Sequence, residues 1–233
     1  MKEVSGFTFS NRVIVYPFLA VLCIWVVYWF EIRFGFDFTS YGIRPRTISG
    51  LKGVVFSPFI HSSAEHLYNN TFPLLLLMGS LIYFYRSISE KIILYGILLS
   101  GILTWLIGRD AYHIGASGLI YLLTSFMFFK GIFTGYYRLI AVSLIVVFLY
   151  GSLIWYLFPI DDGISWEGHL AGFVTGLLFS LVFQGTHSVE TIPDQENNRE
   201  TEDAFLKHFD EDGNFIPTSE LERRKNEDSH DVG

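Results

Sequence analysis

The chain has 233 residues, of which 51% are hydrophobic and 18% aromatic, against 17% charged. That hydropathy is too high for an ordinary soluble domain and argues against a disordered, fibrous or nucleic-acid-binding protein. Charge divides the chain in two: residues 1–184 hold 11 basic and 9 acidic residues, whereas 185–233 hold 5 basic and 14 acidic ones.

Apolar runs long enough to cross a hydrocarbon core of roughly 30 Å, or nearly so, follow one another along the first part. The first is Val13–Phe30, too long for the apolar core of a signal peptide and followed by Glu31 and Arg33 without a small-x-small cleavage site. Its single cysteine, Cys23, allows no intramolecular disulfide and no cysteine-based zinc site. The segment from Glu31 to Glu65 then mixes charges with Phe34, Phe36, Phe38, Val54, Val55 and Phe56, as expected of a structured element lying partly in the membrane interface.

Further spans follow at Leu67–Tyr85, Ile92–Ile107, a shorter one at Ser117–Phe129, then Leu139–Phe158 and His169–Phe183. Backbone groups in lipid must be bonded within the segment, so each span is read as an α-helix. The fold class is all-α, a polytopic six-helix membrane bundle. We divide the chain into an N-terminal cytoplasmic segment at 1–12, a membrane domain at 13–184 and an acidic tail at 185–233 expected to be disordered. Basic residues in the short connections barely favour either side, six against five, and we place both termini inside.

Polar residues in the spans point to chemistry. In an antiparallel bundle the second, fourth and sixth spans start on one membrane face. His66 and Asn70 open the second, Ser117 the fourth and His169 the sixth. His66 and Asn70 are four apart and share a helical face, as do Ser117 and Tyr121. A thirteen-residue fourth span would measure about 20 Å, which puts Ser117 below the membrane surface at the floor of a cavity. Gly115 and Gly118 flank the serine and permit close backbone approach, and Gly172 and Gly176 after His169 form a small-xxx-small strip for tight helix packing. A serine near an imidazole, with amide, imidazole and backbone N–H donors beside it, is the apparatus of acyl transfer.

The ordered motifs His61-x4-His66-x3-Asn70, Gly115-Ala116-Ser117-Gly118 with Tyr121, and Gly168-His169-Leu170-Ala171-Gly172-x3-Gly176 resemble those of the rhomboid intramembrane serine proteases. The resemblance covers about residues 10–184. It implies a Ser117 nucleophile with His169 as general base, and an oxyanion hole of His66, Asn70 and the Ser117 N–H. Tyr121 would stack on His169. The implied activity is an endopeptidase acting on transmembrane segments of other membrane proteins, with the site opening to the extracytoplasmic side; the short length and the lack of a transit-peptide composition point to a bacterial inner membrane. No metal or cofactor is implied, and the partners are substrate helices and the lipid bilayer, not nucleic acid. One departure is visible: the Trp-Arg pair often found five and four residues before the His61 position is Phe56-Ser57 here.

Each residue also has a plainer reading. A serine in a membrane helix usually bonds its own i−4 carbonyl or a neighbouring helix, which is expected of Ser80, Ser100, Ser125, Ser143 and Ser180. Asn69 reads as helix–helix glue and His113 as structural or solvent-facing. His61 reads as structural, about 140° round a helix from His66. Asp161, Asp162 and Glu167 read as a solvated loop, the alternative for Glu167 being that it tunes His169. The competing functions are a catalytically silent rhomboid-like protein that binds membrane clients, and a bis-histidine haem protein using His66 and His169, which leaves the glycines around Ser117 unexplained. A zinc protease would want HExxH, which the sequence lacks, and a di-aspartyl protease needs two acids within spans.

Overall fold

The computed structural model describes residues 10–150, 154–161, 163–183, 205–206, 208–209, 213–220 and 223. Asp162, His187, His230 and most of the 1–12 segment and of the acidic tail lie outside the described residues. Contacts divide the chain into one unit at 1–188 and a second at 189–233. In the second, Phe209 and Phe215 pair in an isolated bridge and the His208 ring stacks on Phe215.

The first unit is helical: α1 (Arg12–Phe34), a one-turn α2 (Gly53–Phe56), α3 (Ala64–Phe84), α4 (Ser89–Ile107), α5 (Ser117–Thr134), α6 (Tyr137–Leu149) and α7 (Trp166–Val182). Helices α1, α3, α4 and α5 are long and apolar enough to cross a membrane, and α6 and α7 are shorter apolar helices. The protein is an integral membrane protein of the all-α class. The outward faces of α1, with Phe18, Leu22 and Trp29 exposed, are suited to lipid and not to water.

Two spans differ from the lengths that hydropathy suggests. The fourth runs to Thr134 and ends at Gly135 in the left-handed conformation, so α5 has 18 residues, about 27 Å. Hydropathy stops at Lys130, but that lysine is buried and donates to the carbonyls of Ser180 at 3.2 Å and Phe183 at 2.6 Å, at the end of α7. The cation satisfies carbonyls that a helix C-terminus leaves open, which also favours positive charge. The depth of Ser117 therefore does not follow from a short fourth span. The fifth ends at Leu149 instead of Phe158, and Trp155–Leu157 form a separate 3₁₀ turn.

At the centre, α5 packs along α7. A methyl group at position 172 would overlap the Gly118 carbonyl, and one at 176 the Leu122 carbonyl, so the glycine strip sets the close approach of these two helices. Four of the five hydroxyls expected to bond helix carbonyls do so: Ser100 to Gly96, Ser143 to Leu139, Ser180 to Leu177, and Ser125 across to Phe173 of α7. Asn69, expected to join helices, is exposed on α3.

The segment between α1 and α3 is a strap of short turns. Ile43, Val54 and Ile60 are buried while Phe36, Tyr41, Val55 and Phe56 are exposed, the two-sided character expected at an interface. It is tied to the α4–α5 connection where Ile43 and His113 exchange backbone hydrogen bonds at 3.0 and 2.9 Å, and to α4 where Trp105 Nε1 donates to Thr47 O at 2.8 Å. Ser57, where the Trp-Arg pair would end, is buried, and its carbonyl accepts the Gly115 N–H at 2.9 Å.

Candidate active site

Three helix starts converge. Ser63 caps α3 by accepting the His66 N–H at 3.1 Å, which fixes His66 in the first turn, with Asn70 one turn on. The α4–α5 connection enters α5 through Gly115, whose φ of 108° is open to glycine and strained for other residues. A side chain at Gly115 would also collide with the His66 ring. The first bond of the α5 ladder that reaches back to the entry is Ile120 N–H to Ala116 O, so the amide of Ser117 precedes the helix's own ladder. His169 is the fourth residue of α7.

Ser117 is half-buried and His169 is 6% exposed. Their Oγ and Nε2 atoms are 2.8 Å apart. The other ring nitrogen, Nδ1, is 2.9 Å from the carbonyl of Tyr156 in the 3₁₀ turn before α7. A carbonyl can only accept, so Nδ1 carries the proton and the neutral ring presents the Nε2 lone pair to the Ser117 O–H. Tyr121, one turn along α5 from the serine, stacks on the imidazole with centroids 4.2 Å apart and planes 16° apart. The ring is held on its face and at one nitrogen, and its second nitrogen is aimed at the hydroxyl.

His66 and Asn70 lie on the far side of the entry loop. His66 Nδ1 is 3.3 Å from Ser62 Oγ, and its Nε2 edge lies against Gly115. Asn70 is buried and one of its amide hydrogens donates to His66 O at 2.7 Å, leaving the second. His61 is not on the helix at all, because α3 begins at Ala64, and the angle argued from helical phase does not apply. It is buried, its ring packs edge-on to that of His66 with centroids 5.0 Å apart, and its Nε2 is 3.5 Å from the Ala116 amide. Burial, with His66 beside it, pushes the His61 pKa down to about 3.

Further corrections concern the outer loops. Of its two expected readings His113 takes the structural one: it is buried between Ser165 Oγ at 2.5 Å and the Arg109 carbonyl at 3.1 Å, and burial lowers its pKa. Glu167 is 2% exposed in the first turn of α7 and pairs with Arg109 at 3.0 Å, so it is not part of a solvated loop. Asp161 is exposed and accepts the Gly163 N–H. Sequence reasoning missed Tyr156 because it acts through its carbonyl. Arg109 did carry a signal, as the sole basic residue between Lys91 and Lys130.

Beside Ser117 lies a small cavity of about 40 Å³, edged by Ser57, Ser100, Thr104, His113 and Ser165. Its volume suits a few water molecules, which need roughly 10–15 Å³ each by this measure and polar partners.

The family model for the rhomboid domain matches residues 49–185, more than half of the chain. The protein belongs to the rhomboid family. That family comprises intramembrane proteases and members without activity. Among curated relatives, uncharacterized proteins of Mycobacterium bovis and Mycobacterium tuberculosis are each 38% identical over 148 residues, which is 59% of this chain and 61% of theirs. An uncharacterized protein of Mycobacterium leprae is 34% identical over 148 residues, 58% of its length. This rhomboid thus spans about three-fifths of the relatives it matches. The matched region holds the strap from residue 49, both helix starts with Ser117 and His169, and the glycine strip.

Proposed function

We propose that this rhomboid is an active intramembrane serine endopeptidase. The observation that carries the reading is the 2.8 Å contact between Ser117 Oγ and the unprotonated nitrogen of His169, with the opposite nitrogen tied to Tyr156 O. His169 Nε2 takes the Ser117 proton as Oγ bonds to the scissile carbonyl carbon. The resulting oxyanion is held by the Ser117 N–H, His66 and the second Asn70 amide hydrogen. The C–N bond then breaks as His169 returns the proton to the leaving amine. Water from the cavity beside Ser117 attacks the acyl carbon as His169 takes its proton; the C–Oγ ester bond then breaks, and His169 returns that proton to Ser117 Oγ.

The substrate is a transmembrane segment of another membrane protein, entering laterally and cut near the outer face of a bacterial plasma membrane. A peptide bond within a helix is shielded by its own hydrogen bonds, so Gly or Pro near the cut, which weaken the helix, and a small residue before it favour cleavage. The test is cleavage of single-span membrane proteins co-reconstituted in liposomes. Wild-type protein should release two fragments and Ser117→Ala none. Equal cleavage by both would contradict the reading, and wild-type protein silent towards helix-weakened spans would favour a client-binding rhomboid without activity.

A further inference from the structure

Ser117 and His169 are delivered by two connections far apart in the chain, 108–116 and 158–165. Below the site, the packing of α5 on α7 holds the helices together. Above it, one polar cluster joins the connections. The Arg109 guanidinium meets Glu167 Oε2 at 3.0 Å, and the Arg109 backbone N–H donates to Glu167 Oε1 at 3.0 Å. The same guanidinium donates to Ile164 O at 2.8 Å. Four residues on, the His113 ring bridges Arg109 O and Ser165 Oγ, and the side chain of Ser165, the residue before α7, makes no cap bond to its own helix, while its carbonyl accepts the His169 N–H at 3.1 Å. The His113 backbone is paired with Ile43 of the strap.

We propose that Arg109, Glu167 and His113 form a clamp of positioning residues that fixes the separation of Ser117 and His169. The inference rests on the protease reading above. Glu167 precedes His169 by two residues, roughly 200° round α7, so the carboxylate acts through the backbone of the helix start and does not touch the imidazole. Stability alone gives a weak reason for this pair, since a buried ion pair is often matched by apolar side chains of similar size. Direction gives a better one. The carboxylate takes both the side chain and the main chain of Arg109, and this bidentate grip fixes the connection in orientation as well as distance.

The experiment compares full-length wild type, Glu167→Gln and the double variant Arg109→Met with Glu167→Met, which leaves no lone buried charge. Three quantities are read in reconstituted protein: kcat and KM for a cleaved span, the thermal midpoint, and the distance distribution between spin labels at Tyr112 and Ile160, both exposed, in a Cys23→Ala background. The clamp predicts a kcat at least tenfold lower for the double variant, KM within threefold, and a broadened distance distribution. Glu167→Gln, close to isosteric, should lose at least threefold in kcat and decides the matter if the double variant does not fold. A kcat within twofold of wild type with an unchanged distribution overturns the inference. If wild-type protein cleaves nothing, the protease reading falls, and the distance distribution alone decides the clamp, broadening upholding it and constancy refuting it.

Discussion

The carbonyl of Tyr156 lies 2.9 Å from His169 Nδ1 and decides which nitrogen of that ring is free to face Ser117. The contact comes from the main chain, so the tyrosine side chain is dispensable for it. Tyr156→Phe should cleave within about threefold of wild type. A loss above tenfold in kcat would show that the phenol, and not the carbonyl, organises the ring.

Asn70 spends one amide hydrogen on His66 O and has one left for an oxyanion. Asn70→Ala should lower kcat by about 10²–10³ while leaving measurable turnover. Assays with a cleavable span in liposomes check this, and an unchanged kcat would remove Asn70 from the oxyanion hole.

Gly172 faces the Gly118 carbonyl with no room for a methyl group. Gly172→Ala should force α5 and α7 apart, costing about 1–3 kcal/mol as overpacked sites do. Because Gly118 follows the serine directly, activity should fall with the thermal midpoint. A variant as stable and active as wild type would contradict the packing described.

His61 and His113 are buried in the connections outside the spans, and burial lowers both pKa values, that of His61 to about 3. In the unfolded chain both protonate near pH 6.5, while the folded protein keeps them neutral to lower pH. The unfolded state therefore binds more protons, and stability should fall as pH drops below about 6.5, with the His61 contribution declining until about pH 3. Thermal midpoints in detergent between pH 7.5 and 4 test the sign. For His61→Gln and His113→Gln that fold, the slope should be shallower, and an identical slope would exclude these groups as its source.

Much of the bundle was legible because apolar runs are local signals, and Ser117 and His169 stood out because they open co-directional spans within ordered, glycine-flanked motifs, which an ordinary helix serine or histidine does not need. What escaped the sequence is tertiary. Lys130 looks like the end of a span, yet it lies inside α5 because the partner carbonyls belong to α7. Glu167 looks solvated until Arg109, 58 residues earlier, is brought against it. His61 was given a helical phase that the cap at Ser63 denies it. Tyr156 contributes an atom that every residue has.

The most direct test of the central claim is labelling of detergent-purified protein with a fluorophosphonate, with the modified residue located by mass spectrometry. The account predicts a single adduct on Ser117, absent from Ser117→Ala and at least about 10³-fold slower in His169→Ala. Labelling of Ser117 at the wild-type rate without His169, or an adduct on another serine that persists in Ser117→Ala, would contradict it.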